Sequence, residues 1–343
     1  MTLRTRLRHV GGALARRGWL GPNTGAVHRV ARAFDRQLAK AAAGPASVAR
    51  LWDRVESDSF SRDLERHSWT GLASVHANHN YLVSGDRDTY WVDWLRDRYF
   101  PDGNAGDVLS LGCGSGHLDR IFLQRGLAMR SLTGFDISPA AVARAQTLAD
   151  ATSLTPLARY RAVDLNRFDL PARAFDFVYF FQSLHHIEAL ERVLESVRQA
   201  LRSGGLLLVN EFVGPSRFQW TAEQLRVATG QLATLPRALR KSLRTGWTKT
   251  AIHRPTVEEI VTADPSEAVR SAEIETALKS RFEVVGEWNW GGTLNHLVFQ
   301  DIAGNFVPSN ESHLSHVERL IQFENTAIRE GRLPSDFKVF MLR

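Results

Sequence analysis

The chain has 343 residues, of which 43% are hydrophobic, and a formal net charge of +6, so it can form a globular core in one enlarged domain or two smaller ones. It lacks both the roughly 20 uninterrupted apolar residues of a membrane-spanning helix and the compact apolar segment of a secretory signal, which favours a cytoplasmic location. The single cysteine excludes an internal disulfide and a thiolate metal cluster.

The positive charge is concentrated in the first part of the chain. Residues 1–50 carry nine arginines and one lysine against one aspartate, a net of +9, so the remainder sums to −3. The body therefore has no basic surplus for a phosphate backbone, and no nucleic-acid partner is expected. Residues 1–45 are predicted to be a basic tail. Three roles stay open for it: a loosely packed segment, a helix on an anionic membrane or protein partner, or a targeting signal.

Helices and strands are predicted in a clear order after the tail. Residues 47–59 and 89–100 are predicted helices of an N-terminal helical segment, 46–104. Further helices are predicted over 139–149 and 187–202. Five short apolar runs alternate with helical segments in a core spanning 105–213: DVLSLGC, SLTGFDI, RYRAVDL, FDFVYFF and GLLLVNEF. Such alternation indicates a parallel sheet covered by helices on both faces.

The alternation stops after residue 213. Residues 214–280 contain polar and basic helical stretches interrupted by prolines, which indicates an inserted helical cap. Residues 281–343 begin with RFEVVGEWNW and end with FKVFMLR, two predicted closing strands with a helix-rich segment between them.

A pair of adjacent histidines, His185 and His186, lies between the fourth strand and its following helix. The apolar positions of 187–202 share one helical face, and Ser203, Gly204 and Gly205 are predicted to end that helix. Residues 182–186 are therefore expected at the carboxyl edge of the sheet, where open α/β folds bind ligands.

A glycine-rich loop follows the first strand. In LSLGCGSGHLDR the spacing is G-x-G-x-G, and His117 stands where a dinucleotide fingerprint needs a glycine. Asp136 ends the second strand and is placed to accept ribose hydroxyls, while Asp164 and Leu165 follow the third and suit an adenine edge and face. Each aspartate alone also fits a helix cap or a turn.

Together these motifs resemble those of the class I S-adenosylmethionine-dependent methyltransferases. The resemblance covers LSLGCGSG, GFDIS, AVDL, FDFVYFFQSLHHI and LRSGGLLLVNEF, about residues 105–213. It implies an α/β, Rossmann-like seven-stranded sheet with an antiparallel last strand, and S-adenosylmethionine as cofactor. The residues it implies for cofactor binding are Gly112, Cys113, Gly114, Gly116, Asp136, Ile137, Asp164, Leu165 and Gln182.

Departures from other methyltransferase types narrow the reaction. The fourth strand ends in Gln-Ser-Leu-His, not in the Asn/Asp-Pro-Pro-aromatic motif of many DNA amine methyltransferases, and no Pro-Cys is present for a cytosine adduct. The strand-end carboxylates of metal-dependent catechol enzymes are also absent from this motif. Adjacent histidines seldom share one metal ion, so no metal site is expected.

A hydroxyl acceptor gains from a general base, and a neutral histidine fits that role. His185 or His186 is therefore a candidate base, although both rings also fit a purely structural turn. Glu211, at the end of the fifth strand, is expected either to orient a histidine or bind the acceptor, or else to lie on the rim. Arg217, Phe218 and Trp220 follow at the start of the cap. His76 and His79 belong to a region that often closes over the cofactor in this superfamily.

The expected activity is metal-independent methyl transfer to a hydroxyl oxygen of a small molecule, glycan or lipid-linked precursor. Three alternatives stay open: N-methylation of a small amine, a non-catalytic cofactor-binding subunit that docks through the basic tail, and an NAD-dependent oxidoreductase, which His117 disfavours.

Overall fold

A computed structural model describes residues 45–55, 66–152 and 157–343 of the chain. Its centre is a seven-stranded sheet in the order β3-β2-β1-β4-β5-β7-β6. The strands are β1 (Asp107–Leu111), β2 (Ser131–Asp136), β3 (Ala158–Ala162), β4 (Phe175–Phe181), β5 (Leu201–Phe212), β6 (Val284–Gly291) and β7 (Phe337–Leu342). The first five pair in parallel, and β7 is antiparallel to both β5 and β6. This confirms the predicted class I methyltransferase topology.

Helices connect the strands and cover the sheet. Those described are α1 (Pro45–Val55), α2 (Ala73–Ser84), α3 (Trp91–Tyr99), α4 (His117–Gln124), α5 (Pro139–Ala151), α6 (Leu190–Ala200), α7 (Ala222–Ala233), α8 (Val257–Ala263), α9 (Ile274–Lys279), α10 (Asn295–Phe299) and α11 (Glu311–Arg329). The helices predicted over 89–100 and 139–149 are confirmed as α3 and α5. The helix predicted over 47–59 is confirmed as α1, and residues 56–59 lie outside the described part of the chain.

The sheet separates two buried apolar clusters because neighbouring strand residues point to opposite faces. Val108 and Phe177 belong to the larger cluster, whereas Leu109 and Val178 belong to the smaller one. Helix α6 covers the smaller cluster with the apolar face that its sequence predicted. Each of these central strands is buried on both faces, which accounts for their continuous apolar runs.

The helix predicted over 187–202 is shorter than expected. Residues 184–186 form a single 3₁₀ turn, α6 ends at Ala200, and β5 begins at Leu201. Leu201 pairs with Phe175, and a register shift between Phe175 and Phe177 accommodates the extra residues before Leu206. Gly204 and Gly205 therefore lie inside the irregular start of a strand, because ladder pairing with β4 outweighs their usual role of ending a helix.

The predicted domain boundaries stay predictions. The basic tail, 1–45, falls almost entirely outside the described residues. At the far end of the predicted cap, α9 packs Ile274 and Leu278 into the smaller cluster beside α6, so this helix is part of the core layer. Within the described ranges, no helix is both long and apolar enough to cross a bilayer.

Candidate functional site

The glycine loop joins β1 to α4 with backbone angles that favour glycine. Gly112, Gly114 and Gly116 have φ of 65°, 52° and 70°. A Cβ on Gly112 would lie 2.3 Å from Cβ of Ser183, and one on Gly116 would lie 2.8 Å from the Tyr160 hydroxyl. The loop thus passes too close to the end of β4 and to β3 for any larger residue.

The buried carboxylate of Asp119 fixes the position of the glycine loop. Asp119, in the first turn of α4, accepts hydrogen bonds from the Ser110 hydroxyl at 2.9 Å, from the Tyr160 hydroxyl at 2.8 Å and from the Tyr179 hydroxyl. Burial raises the pKa of Asp119 above its usual range. These contacts tie α4 to β1, β3 and β4, and so fix where the loop begins and ends.

Asp136 lies at the end of β2 beside the loop. Its carboxylate accepts from the amides of Gly114, at 2.8 Å, and Ser138, at 2.9 Å. Burial raises its pKa. Asp53 of α1 accepts from the hydroxyl of Ser138 at 2.6 Å and from the amide of Ala140 at 3.1 Å. Helix α1 therefore reaches the start of α5 and borders this part of the edge.

The remaining predicted cofactor residues lie along the same edge. The Cys113 amide donates to the carbonyl of Phe135 at 3.0 Å, and half-buried Ile137 follows Asp136. Leu165 is buried, while the preceding Asp164 accepts from the amide of Asn166 at 3.0 Å, as in an ordinary Asx turn.

Gln182 occupies a strained position at the end of β4. Its φ is 52°, a region that non-glycine residues rarely adopt. Its side chain donates to Oδ1 of Asn210 at 3.2 Å, and its amide donates to the Asn210 carbonyl at 2.9 Å. These bonds to β5 hold the turn in this conformation, which directs the chain into the histidine pair.

Glu211 is the centre of the polar contacts around this turn. It is fully buried on β5, and its carboxylate accepts from the amides of Ser183 at 2.8 Å, Leu184 at 2.6 Å and Phe212 at 2.8 Å. Nδ1 of His185 is bonded to the same carboxylate. Glu211 therefore orients a histidine and fixes the backbone of the turn that carries the pair.

His185 is buried within a group of carboxylates. Its Nε2 lies 3.5 Å from a carboxylate oxygen of Glu267, in the segment that precedes α9. Burial lowers the pKa of His185, but the charge of Glu211, assisted by Glu267 and Asp264, outweighs it and raises the pKa to about 9. At neutral pH His185 is consequently an imidazolium, which has no lone pair with which to take a proton.

His186 has the opposite character. Its Nδ1 lies 3.1 Å from the hydroxyl of Ser266, and that hydroxyl donates to Oδ1 of Asp264 at 2.7 Å. Since the single hydroxyl proton of Ser266 is used on Asp264, Ser266 accepts from His186, which places the imidazole proton on Nδ1 and a lone pair on Nε2. Burial, and next the charge of His185, lower the pKa of His186 well below its usual range, so this ring is neutral. Trp52 of α1 packs edge-on at 5.1 Å.

One combination of side chains here has a spacing that a metal ion could bridge. A ligand atom from each of His185, His186 and Glu267 lies within 4.8 Å of the others. In the structure both ring nitrogens of His185 already face carboxylates, Nδ1 that of Glu211 and Nε2 that of Glu267.

Comparison with known proteins identifies methyltransferases that are similar to this chain. A family model described as a methyltransferase domain matches residues 109–209. Phosphatidylethanolamine N-methyltransferase of Cereibacter sphaeroides is 28% identical over 48% of this chain and 71% of its own length. The 27-O-demethylrifamycin SV methyltransferase of Amycolatopsis mediterranei (strain S699) is 29% identical over 38% of this chain and 49% of its own.

The chain carries a methyltransferase domain over residues 109–209, and its sheet has the topology of the class I, S-adenosylmethionine-dependent methyltransferases. A solved S-adenosylmethionine-dependent methyltransferase from Mesorhizobium loti is similar over 74% of this chain and 97% of its own, with 17% identity and a TM-score of 0.43.

The methyltransferase uses S-adenosylmethionine as methyl donor, and the residues at the carboxyl edge fit that cofactor. The glycine loop exposes backbone at a helix start, and Asp136 uses two of roughly four acceptor sites of a carboxylate on loop amides, which leaves capacity for ribose hydroxyls. All nine residues predicted to bind the cofactor lie on this edge, and their individual roles stay predictions.

Several residues of the methyltransferase site had no signal in the sequence. Asp264, Ser266 and Glu267 come from a proline-interrupted segment about 80 residues after the histidines that they contact. Trp52 and Asp53 come from α1, more than 80 residues before their partners. Only chain folding brings these segments together, and no motif spacing connects them.

Replacing Gly112 by alanine is expected to weaken S-adenosylhomocysteine binding by at least tenfold. The new Cβ meets Ser183 at 2.3 Å, so the loop must move away from the end of β4. Isothermal titration calorimetry measures the affinity. Gly85→Ala is the matched control, because Gly85 has φ of 86° but nothing within 4 Å of its added Cβ. Equal affinities in both variants would contradict a close loop contact.

Proposed function

We propose that this methyltransferase transfers the methyl group to a hydroxyl oxygen of a small molecule, glycan or lipid-linked precursor, with His186 as general base. The observation that supports this is the Asp264–Ser266–His186 chain, which leaves Nε2 of a neutral imidazole with its lone pair. Among the described residues, Nε2 has no hydrogen-bond partner. A base of this kind serves a hydroxyl, whose proton must leave as the bond to carbon forms.

In the proposed reaction the methyl group moves to the acceptor oxygen, and the hydroxyl proton moves to His186. The cofactor supplies a methyl group whose bond to the sulfonium sulfur breaks as the acceptor oxygen attacks in line. His186 Nε2 receives the hydroxyl proton, and S-adenosylhomocysteine and the methyl ether are the products. The Glu211–His185 ion pair holds the turn on which His186 lies.

His185 and Glu211 thus act in this proposal by positioning, and His186 alone contacts the reacting group. The two histidines differ because Glu211 is hydrogen-bonded to His185, whereas His186 is bonded to Ser266 and through it to Asp264. The proposal also includes a cytoplasmic protein with no nucleic-acid partner. The basic residues 1–45 would supply any contact with a membrane surface or a protein partner.

Turnover of labelled S-adenosylmethionine over matched alcohols and amines tests the proposal. Alcohols are expected to be methylated, with activity unchanged after dialysis against EDTA, since the proposed base needs no metal. Because the pKa of His186 lies well below its usual range, kcat is expected to stay level from pH 8 down to pH 6. Methylation of amines alone, or loss of activity that only added metal restores, would overturn it.

A further inference from the structure

We propose that the acceptor is held by an aromatic cluster at the site-bearing edge of β5, β7 and β6, and that it is an uncharged, flat aromatic compound with oxygen substituents. This inference rests on the proposed function and names the acceptor class of the same site. The aromatic cluster is defined by Trp69, His79, Phe212, Trp290, His296 and Phe337.

The aromatic cluster is contiguous. Trp290 stacks on His79 with ring centroids 4.3 Å apart and on Trp69 at 5.0 Å. Phe337 contacts Trp290 at 5.0 Å and Phe212 at 5.2 Å. Aromatic walls of this kind bind flat apolar bodies through stacking and edge contacts.

The aromatic cluster also lies next to the reacting edge. Phe212 follows Glu211 on β5, and its ring contacts that of His185 edge-on at 6.3 Å. On the other side, Trp91 is 5.3 Å from His79 and stacks at 6.2 Å on Phe181, which precedes Gln182. The aromatic cluster therefore contacts the ring of His185 directly and reaches the end of β4 through Trp91.

Unpartnered polar atoms distinguish this cluster from an ordinary core. Nε2 of His79, Nε1 of Trp290 and Nδ1 of His296 are buried without a hydrogen-bond partner. Buried polar atoms are nearly always paired in folded proteins, so three within one ring cluster indicate a ligand that supplies the missing partners. His296 extends this set toward the cap, with Trp220 at 5.7 Å and Phe218 at 6.0 Å.

The hydrogen-bonding capacity of these three atoms indicates which ligand groups they can bind. The indole Nε1 of Trp290 can only donate, so it requires an oxygen lone pair. Burial lowers the pKa of His79 to about 3 and that of His296 to about 4, so both rings are neutral and can donate or accept. Hydroxyl and carbonyl oxygens satisfy all three atoms.

The nearby carboxylates do not offer a site for an ammonium group. Glu324 accepts from the amides of Leu294, at 2.6 Å, and Asn295, at 2.9 Å. Asp336 accepts from the indole N–H of Trp220 at 2.8 Å. Both acids fix the loops around the aromatic cluster, so a cationic amine would gain ring contacts but no free anion here.

Calorimetry on the full chain saturated with S-adenosylhomocysteine tests the acceptor class. The probes are 2-naphthol and 4-phenylphenol, compared with methyl α-D-glucopyranoside and ethanolamine. Both phenols are expected to bind, and the glucoside and ethanolamine are not. Trp290→Phe keeps an aromatic ring and removes the indole N–H, and His79→Phe keeps a ring and removes both ring nitrogens. Each is expected to weaken phenol binding by at least about fivefold, the effect of one neutral hydrogen bond.

Trp288→Phe is the matched control, since Trp288 lies on the same strand but packs against Trp94 and Tyr99 instead. The proposal is overturned if neither phenol binds, if the glucoside or ethanolamine binds more tightly, or if Trp288→Phe weakens binding as much as Trp290→Phe. Phenol binding without O-methylation supports the acceptor site and removes the proposed function. O-methylation of an alcohol that both Trp290→Phe and His79→Phe leave unchanged keeps the function and removes the site.

Discussion

Replacing His186 by glutamine is expected to lower kcat by about 10²- to 10⁴-fold, the range for loss of a general base. Glutamine retains polar atoms near Ser266 but has no lone pair of comparable basicity with which to take the acceptor proton. The affinity for S-adenosylhomocysteine, measured by calorimetry, is expected to change little. Single-turnover kinetics with a hydroxyl acceptor separates the loss in the chemical step from any loss in binding.

Ser266→Ala provides a graded comparison. It removes the hydroxyl that fixes the tautomer of His186 but leaves the imidazole in place, so a smaller loss of kcat is expected. Ser266→Thr retains the hydroxyl and is expected to restore most of the rate. Undiminished turnover in His186→Gln would show that neither this ring nor its orientation contributes to proton transfer.

Much of the fold follows from local patterns in the sequence. The apolar runs of β1 to β5 and the glycine loop predict the parallel core, because strands buried on both faces and a turn of positive φ each need particular residue types. The predicted end of α6, at residue 202, was wrong because that prediction used local patterns alone. Gly204 and Gly205 favour termination of a helix locally, but pairing of Leu201 with Phe175 decides the matter through a strand distant in sequence.

The position of the candidate site could be predicted from the sequence, but the pKa shifts of its two histidines could not. His185 and His186 are the same residue type in adjacent positions, so no sequence pattern distinguishes them. Their opposite pKa shifts come from Glu211 on one side and from burial beside a charged neighbour on the other. Partners such as Ser266 and Glu267 come from long-range packing, which composition and spacing do not encode.

Glu211→Gln is expected to lower the free energy of unfolding by about 3–5 kcal/mol at pH 7, the usual effect of removing one partner of a buried ion pair. The variant leaves the His185 ring without its anion and has one side-chain oxygen where three backbone amides were bound. Urea denaturation measures the loss. Glu267→Gln is the comparison, because Glu267 lies 3.5 Å from His185 and accounts for less of the rise in its pKa.

The pH dependence separates the ion pair from simple packing. The pKa of His185 is about 9 in the folded protein, against 6.5 for a histidine in the unfolded chain. The stabilisation by the ion pair is therefore complete below pH 6.5 and is lost as the pH rises through about 9. The wild-type protein is therefore expected to lose stability across this interval, and Glu211→Gln to lose much less. A parallel decline in both proteins would assign the effect to other groups.

Since His186 owes part of its lowered pKa to the charge of His185, Glu211→Gln is also expected to make His186 easier to protonate. The acid limb of the kcat profile is then expected to move upward in pH.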